Sequence, residues 1–255
     1  TKREKGVLTE DRFLLALEQL RPYTDVLYFH LMGEPLCHLK LERYLTLAGE
    51  MGFRVIITTN GALLRSRQEV LLGAPGLHKI NVSLHAFEAN DLSVPFECYL
   101  QDCLAFGQAA QGKKIVVYRL WNSGGADERN EEILCALHQA FPGPWTPGRR
   151  GTAIGDRIFL EPGDPVDWPD LTAPETPGPY FCYGLRDQLG VLWDGTVVPC
   201  CLDHDGDIAL GNLFREDLGD ILASPRAKAI FDGFSNNQAA ESLCRRCGYA
   251  TRFRK

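Results

Sequence analysis

Long apolar runs are missing from this chain. No stretch of its 255 residues approaches the roughly 20 apolar residues that a helical membrane span needs. No basic-then-apolar leader of the secretory kind stands at its start. A basic block is missing as well: net charge is −6, the pI is about 5.6, and the Arg-rich stretch from Arg245 to Lys255 is short. The electrostatic footprint of a nucleic-acid binder is therefore absent. The expectation is a cytoplasmic protein with neither nucleic acid nor membrane as partner. Methionine is scarce too, and none opens the chain, which begins at Thr1. A fragment or a processed form is expected.

Cysteine, by contrast, is plentiful. There are nine, and without a secretion signal they lean toward metal or redox chemistry rather than disulfides. Cys37, Cys98, Cys103 and Cys135 are scattered and read as buried apolar side chains. Cys182, Cys200, Cys201, Cys244 and Cys247 crowd into the last part of the chain.

Periodicity organises the rest. Phe13, Leu14, Leu17 and Leu20 recur at helical spacing over 10–20, with Thr9 placed to cap and Glu10 and Asp11 in the first turn. VLYFHLM (26–32) reads as a buried strand, Leu41 to Ala48 as a helix stopped near Gly52, and FRVIITTN (53–60) as a second strand. A short helix around 66–72, a strand KINVSLH (79–85), a helix over 97–111 and a strand KIVVYRLW (114–121) follow. A helix capped by Asn130 and a strand DRIFL (156–160) complete the series. Continuously apolar strands alternating with helices predict a parallel sheet covered by helices. The series starts on a helix where a βα repeat needs a strand, so one strand is expected upstream of Thr1. Residues 162–179 hold six of the 15 prolines and read as a linker. Two β-rich runs around Asp194-Gly195 predict a hairpin over 187–201, and 216–234 reads as partly helical. The expected domains are therefore 1–161, a linker 162–179, and 180–255.

Two kinds of site stand out. Cys182, Cys200, Cys244 and Cys247 form C-x17-C-x43-C-x2-C. Four thiolates suit either a closed zinc site or one fully ligated [4Fe–4S] cluster, and spacing alone does not separate them. Successive strand residues face opposite ways, so Cys201 reads as a neighbour of the site rather than a ligand. The second kind lies at strand ends. One strand runs into His30-Leu-Met-Gly-Glu-Pro-Leu36 and the next into Thr58-Thr-Asn-Gly61, where parallel βα folds keep their chemistry. Gly33 lets a ligand approach the backbone and Glu34 offers a carboxylate to an ammonium group. Ser83, His85, Arg119 and Trp121 end the following strands. His85 reads as a satisfied core histidine, and His204, among Asp203, Asp205 and Asp207, as a solvated turn.

MGEPL after a strand resembles the GGEP motif of radical S-adenosylmethionine (SAM) enzymes, with Met32 in place of the first glycine. TTNG at the next strand end recurs in that family. Cys182-x12-Gly195-x4-Cys200 with the closing Cys244-x2-Cys247 resembles the auxiliary-cluster domains called SPASM and twitch. The resemblance implies a partial (β/α)6 TIM-like barrel lacking its first strand, plus a small C-terminal β-hairpin and helix domain that binds a cluster. It implies SAM at Met32, Gly33, Glu34, Pro35 and Asn60. Ser83 would face its ribose or carboxylate, and Arg119 either its carboxylate or a structural ion pair. An auxiliary [4Fe–4S] cluster, or zinc in its place, would sit on Cys182, Cys200, Cys244 and Cys247.

The family's SAM-binding cluster needs a CxxxCxxC loop, and this sequence has none. Those ligands are expected outside the chain, and the 255 residues alone are expected to be inactive. The intact protein would be an oxidoreductase or transferase-type enzyme. It would form a 5′-deoxyadenosyl radical for hydrogen abstraction from a small-molecule or peptide substrate, with a flavodoxin or ferredoxin as electron donor. Two rivals stand beside this reading: a non-enzymatic α/β protein with structural zinc, and a degenerate radical SAM fold that only binds.

Overall fold

The computed structural model describes residues 1–87, 94–123, 128–149 and 151–253. Its contacts divide the chain into two compact units, Thr24–Pro165 and a second made of Thr1–Tyr23 with Val166–Lys255. The first helix, α1 (Glu10–Leu20), forms where its periodicity predicts and carries Glu10 and Asp11 in its first turn. Thr9 begins it through its carbonyl, which accepts from Phe13 N at 2.8 Å; its hydroxyl makes no cap bond.

In the unit Thr24–Pro165 the chain alternates β1 (Val26–Phe29), α2 (Leu41–Glu50), β2 (Arg54–Thr59), α3 (Leu64–Gly73), β3 (Leu77–Ser83), α4 (Phe96–Ala110), β4 (Ile115–Leu120) and α5 (Asn130–Ala140). Then come β5 (Thr146–Gly148), β6 (Gly151–Gly155) and β7 (Ile158–Pro162). Seven strands form one mixed sheet in the order β1-β2-β3-β4-β7-β6-β5. The pairs from β1 to β4 and on to β7 are parallel, and β5 and β6 are antiparallel additions. The expected α/β class with a parallel-rich sheet is present. Each parallel strand is within a few residues of its expected span, because apolar runs of this length have no other way to be buried.

The β5–β6 hairpin was not anticipated. Its sequence is dense in Gly and Pro, which hides a short strand, and Pro147 is tolerated because β5 is a sheet edge. Asn130 does not cap α5 as expected. It opens the helix, and its side chain exchanges hydrogen bonds of 3.0 and 3.1 Å with Asn122 instead. Gly52, with φ +81°, does stop α2: it turns the chain back so that Phe53 N reaches Ala48 O at 2.9 Å.

The sheet has two unlike faces. Register puts Ile57, Ile80, Val116 and Ile158 on one face, all fully buried, with Val82 and Tyr118 beside them. The other face carries Thr58, Asn81 and Val117 in one row and Ser83, Arg119 and Glu161 in the next. That face is polar at the carboxyl ends of the strands.

In the second unit, β8 (Gly190–Val191), β9 (Thr196–Val198) and β10 (Gly211–Asn212) form a three-stranded antiparallel sheet. β8 and β9 are the expected hairpin, turning at Gly195 with φ +90°. The expected helical stretch is two helices, α6 (Leu218–Ala223) and α7 (Pro225–Ser235), because Ser224-Pro225 ends one and begins the next. A short α8 (Ser242–Arg245) follows. Helix α1 belongs here and not, as its place in the sequence predicts, with the α/β unit. Ala16 packs with Val197, Leu213, Leu218 and Ile221, and Gln19 bonds Leu213 O and Glu216 O, each at 3.2 Å. Periodicity identifies which helix face is buried but not what buries it.

The proline-rich stretch expected to be a linker is also docked in this unit. Thr176 N reaches Arg245 O at 2.8 Å and Tyr180 N reaches Asn237 O at 2.9 Å. Among the described residues no helix is long and apolar enough to cross a membrane.

Candidate functional site

The strand-end site is built in the unit Thr24–Pro165. After β1 the chain turns at Gly33, whose φ of +79° suits glycine, and no heavy atom lies within 4 Å of where a Cβ would stand. The backbone is therefore open to a ligand there. Met32, half-exposed, is not among the residues with positive φ, so the second glycine of a GGEP-type turn is the one this backbone requires. Pro35 starts a single 3-10 turn, Pro35–Cys37.

Glu34 does more than face outward. Its Oε1 accepts from Leu36 N at 3.0 Å and from Thr59 Oγ1 at 2.8 Å, and its Oε2 accepts from Asn60 N at 2.8 Å. The carboxylate thus ties the MGEP turn to the TTNG turn. Within the latter, Thr59 Oγ1 accepts from Gly61 N at 3.0 Å and Asn60 Oδ1 from Ala62 N at 3.0 Å. Tyr99 of α4 donates its hydroxyl to Asn60 O at 2.7 Å. Gly61 has φ +86°, and a Cβ on it would lie 2.8 Å from Cys103 Sγ.

Ser83, Arg119 and Glu161 are neighbours on the polar sheet face. Arg119 Nε lies 3.5 Å from Glu161 Oε2, and its guanidinium stacks 4.4 Å from the Trp121 ring centroid. His85 Nδ1 is 3.0 Å from Arg119 O, so this ring is anchored on the β4 backbone. Burial, with the Arg119 charge second, pushes His30 below its ordinary pKa; burial also lowers His85. Both rings are held neutral. Asn81 is 1% exposed; its Nδ2 donates to Thr58 Oγ1 at 3.2 Å, and its Oδ1 has no partner among the described residues.

Of the barrel cysteines only Cys103 is buried as expected. Cys37, Cys98 and Cys135 are exposed, because each falls off the apolar stripe of its segment. Sequence reasoning missed Thr59 as the partner of Glu34, Tyr99 as the support of Asn60 and Glu161 as the partner of Arg119. The position of Glu161 at a strand end was a usable signal. Nothing local marks Tyr99.

The four-cysteine site is built in the other unit. Burial raises all four thiols, Cys200 to about 12. They also feel one another: Cys244 is raised further by Cys200, Cys182 and Cys247, and Cys200 by Cys201 and Cys182. Backbone N–H groups point at the sulfurs. Gly184 N lies 3.4 Å from Cys182 Sγ, Leu202 and Asp203 serve Cys200, and Tyr249 and Ala250 serve Cys247. Such donors stabilise thiolates and tune any group bound to them.

No three His, Cys, Asp or Glu side chains among the described residues are arranged to hold a single metal ion. At zinc–sulfur bonds of about 2.3 Å, four thiolates must crowd tightly around one ion, whereas a four-iron cluster holds its sulfurs farther apart. The donor set, four thiols with backbone N–H groups at three of the sulfurs, fits a group that takes four thiolate ligands.

The loop after Cys200 is shaped by Asp203, which is 2% exposed and accepts from Asp207 N and Ile208 N, each at 2.9 Å. It is therefore a carboxylate-capped turn, not the solvated one expected. His204 stacks edge-on to Trp168 and lies 3.6 Å from Asp205.

Residues 182–248 match the family model of the iron–sulfur cluster-binding domain SPASM. The segment is thus similar to SPASM domains. The match spans Cys182, Cys200, Cys244 and Cys247. No curated protein matches the chain. Among solved structures, BtrN in complex with AdoMet and 2-DOIA is 18% identical over 96% of this chain and 82% of that one, with TM-score 0.57. SuiB of Streptococcus suis is 14% identical over 97% of this chain and 65% of that one, with TM-score 0.59. SuiB bound to its precursor peptide SuiA gives 13% identity over 97% and 64%, with TM-score 0.56. The fold is thus similar to that of these solved structures.

Proposed function

We propose that this chain is the SAM-binding α/β unit and auxiliary-cluster domain of a radical SAM enzyme. What supports the reading is that Cys182, Cys200, Cys244 and Cys247 all lie in the segment that matches the SPASM model, that Cys244 feels the other three, and that backbone N–H groups serve Cys182, Cys200 and Cys247. Cys182, Cys200, Cys244 and Cys247 hold one [4Fe–4S] cluster, and Cys201 stands beside it. Full thiolate ligation leaves no open iron, so this cluster passes electrons or braces the domain.

In the other unit, Met32, Gly33, Glu34, Pro35 and Asn60 form the SAM-binding turns. Gly33 offers open backbone to the methionyl ammonium. Glu34 places a carboxylate nearby while its oxygens hold the two turns together. Ser83 and Arg119 lie on the sheet face that would take the ribose and carboxylate, with Glu161 setting the direction of the guanidinium. His30 and His85, held neutral, add no charge there. When bound, SAM and a cluster on a CxxxCxxC motif, which this sequence does not contain, would supply the radical chemistry. A small-molecule or peptide substrate fits the two kinds of ligand named for the similar structures.

The test is anaerobic reconstitution of residues 1–255. About four irons per chain with a thiolate-to-iron absorption band are expected, lost in Cys247→Ala and kept in Cys201→Ala. Zinc without iron, or full iron in Cys247→Ala, would overturn the assignment. Separately, Glu34→Ala should weaken SAM binding by about 10- to 100-fold in calorimetry, the range of a charge-assisted hydrogen bond. Unchanged affinity would remove the ammonium role.

A further inference from the structure

The proline-rich stretch from Val166 to Tyr180 carries contacts that a connecting segment has no need of. Glu175 Oε1 accepts from Arg245 Nε and from Arg246 Nη1, both at 2.9 Å. These two arginines are the residues between Cys244 and Cys247. Thr176 N and Oγ1 both donate to Arg245 O, at 2.8 and 3.1 Å. That carbonyl ends α8, a helix of four residues whose terminal carbonyls lack partners within the helix. A Cβ on Gly248, the residue after Cys247, would stand 2.8 Å from Asp167 O, so the segment's backbone runs directly against the turn.

From these contacts we infer that residues 166–180 are a strap across the Cys244–Cys247 turn, and that Glu175 is a positioning residue for the four-cysteine site. The inference rests on the proposed ligand set. Arg245 and Arg246 extend the brace: their Nη1 atoms donate to Ala239 O at 3.1 Å and to Ser242 O at 3.0 Å. One carboxylate therefore fixes two arginines that each hold a different piece of backbone around the turn. The Arg245 hydrogen bond keeps the Glu175 carboxyl below the usual carboxylate range, so it stays ionised at neutral pH. Its charge offsets two cations beside the thiolates. A nearby negative charge disfavours adding an electron to a cluster.

The experiment uses the iron-loaded 255-residue chain and the rate of iron release to a chelator under anaerobic conditions. Glu175→Ala should release iron about fivefold faster, the scale of one well-formed exposed ion pair. Thr176→Val should do so to a smaller extent. Glu132→Ala, which removes an exposed ion pair in the other unit, should not. Glu175→Gln should recover part of the retention yet move the reduction midpoint to a more positive value. A purely structural strap would leave the midpoint in place. Wild-type release rates and an unshifted midpoint in both Glu175 variants, with circular dichroism unchanged, would overturn the inference.

If the wild-type chain binds no iron, the ligand assignment fails by itself. Alkylation of Cys244 and Cys247 in the metal-free chain then tests the strap alone. Faster labelling in Glu175→Ala supports it, and equal labelling overturns it.

Discussion

Gly61 concentrates several constraints in one residue. Its φ of +86° disfavours any side chain, and a Cβ would meet Cys103 Sγ at 2.8 Å and the Tyr99 hydroxyl at 3.2 Å. Its N–H also completes the chain of bonds from Glu34 through Thr59. Gly61→Ala should therefore cost about 1–3 kcal/mol of stability, read by urea unfolding, because neither the backbone nor the packed neighbours can yield freely. A loss within about 0.5 kcal/mol, the range of an ordinary surface change, would mean the turn is not so constrained. TTNG and MGEP were visible as strand-end motifs. That one carboxylate joins them was not, because Glu34 and Asn60 stand 26 residues apart and only strand pairing brings them together.

At the scale of elements, the polar sheet face is the informative one. Parallel register sets Ser83, Arg119 and Glu161 side by side, while the opposite face carries the buried row Ile57, Ile80, Val116 and Ile158. His30 and His85 lie at strand ends beside Arg119, and burial depresses both below their ordinary 6.5. The sign follows. A folded state that protonates at lower pH than the unfolded chain keeps its full stability above pH 6.5. It loses stability as the pH falls through that value and on through the lower folded pKa, because the unfolded chain then binds more protons. Unfolding free energy should thus decline from about pH 6.5 toward about pH 5, above the range where most carboxylates titrate. The double variant His30→Gln/His85→Gln should show a smaller decline. An equal slope in the double variant would place the titration elsewhere.

At the scale of the molecule, the unit that carries the four cysteines is discontinuous in sequence. Phe13, Ala16 and Leu17 of α1 are buried, and Ala16 joins a core otherwise made by residues from Val197 to Ile221. Burying Phe13 and Leu17 is worth about 1.5–3 kcal/mol each, a large share of the roughly 5–15 kcal/mol that stabilises a domain. Deleting residues 1–23 should therefore abolish iron binding and thermal cooperativity of this unit, measured by iron content and calorimetry. A 24–255 chain that binds iron as the longer one does would refute that dependence.

What the sequence by itself determined are the properties that repeat locally along the chain. These are the helical and strand periods, the glycines that turn strand ends, and the cysteine spacing that announces a four-thiol site. The tertiary structure alone decided which distant segments meet: α1 with the core of Val197, Leu213, Leu218 and Ile221, Glu34 with Asn60, Glu175 with the two arginines between Cys244 and Cys247. The Glu175–Arg246 bond spans 71 residues. Periodicity reports that a residue wants a partner, but the partner across such a separation is chosen by the packing of the whole unit.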